Sequence, residues 1–373
     1  MIETKPPDLE KQLVQLTRDL VMIPSSADRP ADVERALELV RHHVDDLPEV
    51  AVRILESKGC PSLVVMPASS PDHCDVMLCA HVDVVAHTGE AVFHPEICDN
   101  RIVGPGAGDM KGQLAILIQL FTEAHRAYPG ASLGLVVTSD EEIGGMNGIR
   151  YLLQDVGLRC GTAIIPDGGS LNRFPVEEKG ILHMRVVLQG ESAHAARPWL
   201  ASSALIRGAR LVDFLQCAFP TRAADGSDHW YPTCVATMIS TSNHAINRIP
   251  DEVEIYLDCR FPPPHTAESI ETRIAAMLGP EDSVEIIITA APTALNPDER
   301  YLAIAADVLA TPVERIREPG GSDGRFFADL NIPVIMSRPD VGKLHDRDEW
   351  IDVPSMLQYY EITATYLNER LSS

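Results

Sequence analysis

The chain has 373 residues, enough for two domains with a core in each. Apolar residues make up 45% of it, an ordinary composition for a soluble protein, and 54 acidic against 31 basic side chains leave a net charge of −23. That balance excludes a polyanion as partner, because a nucleic-acid binder needs a basic face. The opening residues, MIETKPPDLEKQLVQL, carry no apolar core behind positive charge, so no signal peptide is expected; no apolar run reaches membrane-spanning length, so no membrane partner is expected either. Eight cysteines lie far apart with no C-x-x-C, and several fall in apolar strands, Cys79 and Cys259 among them. They read as reduced core residues of a cytoplasmic enzyme rather than a disulfide frame or a zinc ribbon.

In chain order, the spacing of Leu, Val and Ile predicts helices over 8–22 and 30–47, the first stopped at Ile23-Pro24-Ser25-Ser26. Residues 50–55 and 62–66 read as paired strands and 76–80 as the central strand, with a hairpin over 94–104 turning at Asp99-Asn100. Helices over 111–127 and 146–154 alternate with strands over 132–139 and 162–166. That alternation predicts an α/β fold, a mostly parallel sheet flanked by helices. After Gly180 the pattern changes to strand 182–188, helix 200–214, strands 233–240 and 252–261, helix 267–278 and strand 284–289. The order β-α-β-β-α-β is ferredoxin-like and predicts an inserted domain over 181–292. Helices over 298–309 and 355–371 around a strand at 333–336 return to the first pattern, so the other domain is discontinuous, 1–180 with 293–373.

Chemistry gathers where apolar strands end. The run VMLCA stops at His81 and, two residues on, Asp83. In an open α/β sheet ligands collect outside the carboxyl ends of the strands, where a His could bind a metal and the acid orient its ring. The glycine-rich loop GPGAGDMKG has the wrong spacing for a phosphate loop and puts Asp109 at its centre; an acid there repels phosphate and suits a divalent cation, although a plain helix cap is the simpler reading of that loop alone. The strand SLGLVVTS runs into Asp140-Glu141-Glu142, three acids that repel one another unless something cationic holds them. Glu141 and Glu142 point differently, so one can ligate a metal while the other acts as a base. A third strand, TAIIP, delivers Asp167, and GKLHD brings a second histidine, His345, after a fourth. Four strands each ending in a potential ligand argue for a metal site.

In this order, LCAHVDVV, GAGDMKG, SDEEIGG, SAHAARP, GGSDGRFF and KLHDRDEWIDV resemble the dinuclear-zinc peptidase and deacylase family of acetylornithine deacetylase, succinyl-diaminopimelate desuccinylase, aminoacylase and bacterial glutamate carboxypeptidase. The resemblance spans essentially the whole chain. It implies two divalent ions, zinc with cobalt or manganese as alternatives. Asp109 would bridge them, with His81 and Asp167 completing one site and Glu142 and His345 the other. It further implies that Asp83 orients His81 and that Glu141 is the general base of amide hydrolysis. The insertion becomes a lid that dimerises, carrying His194 as an oxyanion donor to the partner subunit's site. Asn247, Arg260 and Arg325 match substrate-binding positions, an arginine fork being suited to a carboxylate, with a structural ion pair as the alternative for each arginine. Gly320, Gly321 and Ser322 would line the same pocket.

The chain departs from that pattern after Asp167, where Gly168-Gly169-Ser170-Leu171-Asn172 replaces the Gly-Glu-Pro-Thr usual in desuccinylases and acetylornithine deacetylases. The loop at 223–232, with His229 and Trp230, receives no role. The leading expectation is a hydrolase of N-acyl amino acids or short peptides with a free carboxylate, with a desuccinylase or acetylornithine deacetylase as the narrower alternative. A catalytically silent binding protein is the reading from another class. A phosphoesterase would want cations near the metals, where the sequence offers only Lys111.

Overall fold

The computed structural model describes residues 1–220 and 229–372, so most of the loop expected at 223–232 lies outside the described residues. The chain forms two compact units, Met1–Val176 with Leu295–Ile316 and Ser322–Ser373, and Glu177–Ala294 with Arg317–Gly321. Gly320 and Gly321 thus belong to the second unit and Ser322 to the first, a finer interleaving than the single insertion expected.

The first unit begins with helices α1 (Leu9–Val21) and α2 (Pro30–Val44). Leu9, Leu13, Leu16 and Leu20 bury one stripe of α1, and Pro30 opens α2, where its missing N–H costs nothing. Strands β1 (Val50–Ser57) and β2 (Cys60–Pro67) form a hairpin turning on Lys58 and Gly59, both at positive φ. Then follow β3 (His73–His81), the hairpin β4 (Glu96–Cys98) and β5 (Arg101–Val103), α3 (Gly112–Ala127), β6 (Leu133–Thr138), the short α4 (Ile149–Tyr151), β7 (Arg159–Ile164) and β8 (Arg173–Glu178). Every residue of β6 is buried, and so are the last six of β3, as strands covered on both faces require.

The second unit contains β9 (Gly180–Gln189), β10 (Ala193–His194), α5 (Ala204–Ala218), β11 (Thr233–Ser240), β12 (Arg248–Ile249), β13 (Glu252–Phe261), α6 (Ala267–Ala275), β14 (Ser283–Ala290) and β15 (Thr293–Ala294). Its antiparallel sheet has the order β11-β13-β9-β14, around a core that includes Leu182, Met184, Leu211, Leu215, Ile255 and Phe261. Helix α5 starts four residues later than expected because Ser203 caps it, its side chain accepting from the Ile206 N–H.

The chain continues through α7 (Glu299–Leu309), β16 (Glu314–Glu318), α8 (Gly324–Ala328), β17 (Val334–Ile335), β18 (Val341–Gly342), β19 (Trp350–Asp352) and α9 (Val353–Leu371). The main sheet of the first unit has the order β1-β2-β6-β3-β7-β17. Pairs β6–β3, β3–β7 and β7–β17 are parallel, whereas β2 runs against both β1 and β6. The sheet is therefore mixed, with one reversed strand in an otherwise parallel set, because the tight β1–β2 turn admits only an antiparallel pair.

Candidate metal centre

Three adjacent parallel strands, β6, β3 and β7, end at one edge of this sheet and deliver Glu141, His81 and Asp167 there. His81 is the last residue of β3 and is buried. Its Nδ1 lies 3.0 Å from the Asp83 carbonyl oxygen and 3.4 Å from Asp83 Oδ1, which turns Nε2 toward Asp109. With Nδ1 protonated against Asp83, Nε2 keeps the lone pair a metal would take. Asp83 Oδ2 in turn accepts from the Glu142 N–H at 2.9 Å, so one buried residue holds the imidazole through its carbonyl and the start of the acidic turn through its carboxylate.

Asp109 occupies the middle. One of its oxygens is 3.3 Å from His81 Nε2 and the other 3.3 Å from His345 Nε2. Glu142 Oε2 is also 3.3 Å from His345 Nε2. Ligand atoms of His81, Glu141 and Asp167 lie within 4.8 Å of one another, as do those of Asp109, Glu142 and His345. The second group is the more open, since His345 is exposed. Lys343 and His345 both hold positive φ, at 54° and 63°, strain of the kind that persists where surrounding structure demands it.

The charges in this cluster are unbalanced. Burial and the neighbouring Asp167 carboxylate push Glu141 well above its ordinary range, and burial with Asp109 does the same to Asp167. Burial raises Glu142 too. Burial opposes ionisation of Asp109, yet hydrogen bonds to His345 and His81 outweigh it and hold that carboxyl below its usual value. His345 is raised to about 9 by Asp109, and hydrogen bonds to Asp109 and Asp83 lift His81 despite its burial. Carboxylates this close repel, and a divalent cation relieves the repulsion better than protons can. Imidazole nitrogens and carboxylate oxygens are a donor set that zinc accepts, so the residues fit a pair of such ions.

The turn that carries the acids is built by residues outside the ligand groups. Asp140 faces inward, its Oδ2 accepting from the Asn147 N–H at 2.7 Å, so the three acids expected as one cluster divide into a turn former and two site residues. Gly144 and Gly145, at φ 107° and 65°, let the chain reverse immediately after Glu142. The helix expected from residue 146 therefore starts only at Ile149. Arg325 is buried and donates to the carbonyls of Gly144 (2.7 Å) and Ser322 (2.8 Å), a brace for this turn rather than a free carboxylate fork. The Ser322 hydroxyl accepts from the Gly324 N–H.

The second unit holds the other expected residues. Arg260 grips Asp258 with two donors at 2.7 and 3.0 Å, the ion-pair alternative. His194 and Asn247 are exposed, joined by the β10–β12 pairing and by an Ala195 N–H to Asn247 carbonyl bond. A Cβ on Gly320 would meet nothing within 4 Å, whereas one on Gly321 would strike the Ile181 side chain at 2.7 Å. The described end of the 223–232 loop is anchored by Lys179, which donates to the carbonyls of His229 and Tyr231.

Two functional positions escaped the sequence reading. Glu349 is buried; its Oε1 accepts from the Gly108 and Asp109 N–H groups, both at 2.7 Å, and its Oε2 from the His345 N–H at 3.3 Å. Its spacing four residues past His345 was the available signal. Lys111, expected as the cation near the metals, is wholly buried with Nζ on the Ile23 carbonyl at 2.6 Å. Among the described residues, the cation beside the candidate ligand groups is Arg338, 3.8 Å from Asp167 Oδ1.

The family model for peptidase family M20/M25/M40 matches residues 77–369. The chain is 28% identical over 307 residues to a succinyl-diaminopimelate desuccinylase of Alkalilimnicola ehrlichii, covering 75% of this chain and 80% of the relative. To the desuccinylase of Rhodospirillum centenum it is 29% identical, covering 95% of each. Its fold superposes on an M20 family metallo-carboxypeptidase of Sulfolobus solfataricus with a TM-score of 0.75 at 16% identity, over 95% of this chain and 98% of the other.

Proposed function

The chain belongs to peptidase family M20/M25/M40, and on that premise we propose a metal-dependent hydrolase that cuts the amide bond of an N-acyl amino acid or short peptide bearing a free carboxylate. The observation that carries this reading is Asp109, whose two oxygens face two different imidazoles between paired ligand groups. Asp109 would serve both ions, His81 and Asp167 would hold one, and Glu142 and His345 the other, with zinc as the preferred metal and cobalt or manganese as substitutes. When bound, the ions polarise the scissile carbonyl and acidify a water.

The protein's own residues do the rest. Glu141 takes the proton of the attacking water and passes it to the leaving nitrogen, as a carboxylate placed beside the ligand groups can. Asp83 keeps the His81 ring in one tautomer. In the second unit, the Ala196 N–H occupies His194 Nδ1 at 3.0 Å, which leaves Nε2 as the protonated nitrogen, able to donate to a developing oxyanion. Asn247 is assigned to the substrate beside it. The names of the relatives favour an N-succinyl amino acid as the narrower substrate. All eight cysteines are free, as suits the reducing cytoplasm, and among the described residues no helix is long and apolar enough to cross a membrane.

The test is a panel of N-acetyl and N-succinyl amino acids, dipeptides and tripeptides, assayed after chelation and again after adding zinc, cobalt or manganese. Cleavage of one class that disappears with chelation and returns with metal is expected. Two bound ions without cleavage of any substrate would favour the silent binding protein.

We also assign a homodimer through the second unit. Strand β11 is an edge of its sheet and exposes Val235, Met238 and Ile239, an apolar edge of the kind that pairs with another chain. Ile239→Lys should shift sedimentation from dimer to monomer and, because His194 then lacks a partner's site, lower activity as well. A monomeric wild type sinks the dimer, and a fully active monomeric variant removes His194 from the partner's reaction.

A further inference from the structure

The first unit has a cavity of about 300 Å³ whose lining includes Arg101, Ser170, Arg338, Asp340, Trp350 and Asp352. Its charged groups differ in how they are engaged. The Arg101 guanidinium lies over the Trp350 ring, 3.8 Å from its centroid, and electrostatically faces Asp340. Asp352 caps α9, its carboxylate accepting from the Ser355 N–H at 2.8 Å. Arg338 is the exception. Among the described residues its buried Nε has no hydrogen-bond partner, and its one ion pair there is the 3.8 Å approach to Asp167 Oδ1, too long for a hydrogen bond.

Strand geometry explains how an arginine reaches this place. Val334 and Ile335 of β17 pair in parallel with Ala163 and Ile164 of β7. Three residues further, Arg338 and Asp167 emerge at the same sheet edge, one from each strand. Arg338 therefore stands between the cavity and the ligand cluster. The other arginines considered for anion binding are committed elsewhere, Arg260 to Asp258 and Arg325 to two main-chain carbonyls.

We propose that Arg338 is the carboxylate anchor of the substrate, a specificity-determining residue that holds the free carboxylate at the mouth of this cavity while the amide bond lies over the ligand cluster. The inference rests on the amide-hydrolase reading above and names the group that selects its substrates. An arginine with donors to spare, shielded from water, is suited to a bidentate carboxylate.

The test uses N-acetyl-L-leucine, N-succinyl-L-leucine and glycyl-L-leucine, each beside its carboxamide, with zinc-loaded wild type, Arg338→Ala and Arg338→Lys. Turnover and calorimetric binding are both read. For Arg338→Ala, KM and Kd for the carboxylates should rise about 10- to 100-fold, the loss expected for a hydrogen-bonded ion pair. Values for the carboxamides should stay within about twofold, metal content should be unchanged, and Arg338→Lys should recover part of the loss, since a point charge lacks the fork. Equal losses on carboxylates and carboxamides, or loss of metal, would make Arg338 a mere brace for Asp167 and overturn the proposal. So would a wild type that binds neither form. Binding that depends on Arg338 without turnover of any probe would instead sink the hydrolase reading and leave the anchor standing.

Discussion

Glu141→Gln is expected to lower turnover by about 10²- to 10⁴-fold, the usual contribution of a general base, while both ions stay bound. Two observations bear on that outcome in opposite directions. Glu141 lies within ligand distance of His81 and Asp167, so geometry alone would admit it as a third ligand of that group. Its neighbour Glu142 is held differently, by the Asp83 carboxylate on its backbone N–H and by His345 beside its carboxylate, and so belongs to the other group. Metal analysis of the variant decides. Two ions per chain with turnover lost makes Glu141 the base, whereas one ion per chain makes it a ligand and leaves the base unassigned. Glutamine preserves the size of the side chain, so thermal stability of the metal-free protein should match wild type.

Asp109→Ala should have the broader effect, taking both ions from the protein and reducing hydrolysis to background. Each oxygen of Asp109 sits 3.3 Å from a different imidazole, so truncation removes a donor from both groups at once. His345→Ala, by contrast, should cost one ion and spare the other. The check is equilibrium dialysis against zinc, with chelator competition to rank affinities. Asp109→Ala that still holds two ions at wild-type affinity would dissolve the bridge and with it the pairing of the two sites. The fold should survive, because Glu349 binds the backbone N–H of residue 109 whatever its side chain.

The residues that cluster at the sheet edge were legible because apolar strands that stop at a histidine or an acid are costly unless the polar group has work there. His81, Asp109, Glu142, Asp167 and His345 could each be found from such local contrasts. Asp140 could not be separated from Glu141 and Glu142, because its inward turn depends on the Asn147 N–H and on Gly144 and Gly145 permitting a reversal. Arg338 was invisible for a different reason: its meaning comes from the register between β17 and β7, which no stretch of either strand reveals. Likewise the reversal of β2 against β6 is a pairing choice, and alternation of helices and strands cannot express it. Arg260 and Arg325 mark the opposite limit, where a motif suggests a ligand and nearby partners have already claimed the side chain.

Glu349 binds backbone groups of residues 108, 109 and 345, which the chain synthesises more than two hundred positions apart. During translation, the segment carrying His81, Asp109 and Glu142 leaves the ribosome long before the one carrying His345 and Glu349. Until that last segment docks, Asp109 lacks the carboxylate that seats its loop and one of the two histidines it faces. The site is thus completed late in synthesis, because His345 alone of the six clustered residues lies in that last segment. Closure of the group formed by Asp109, Glu142 and His345 and completion of the discontinuous unit become one event.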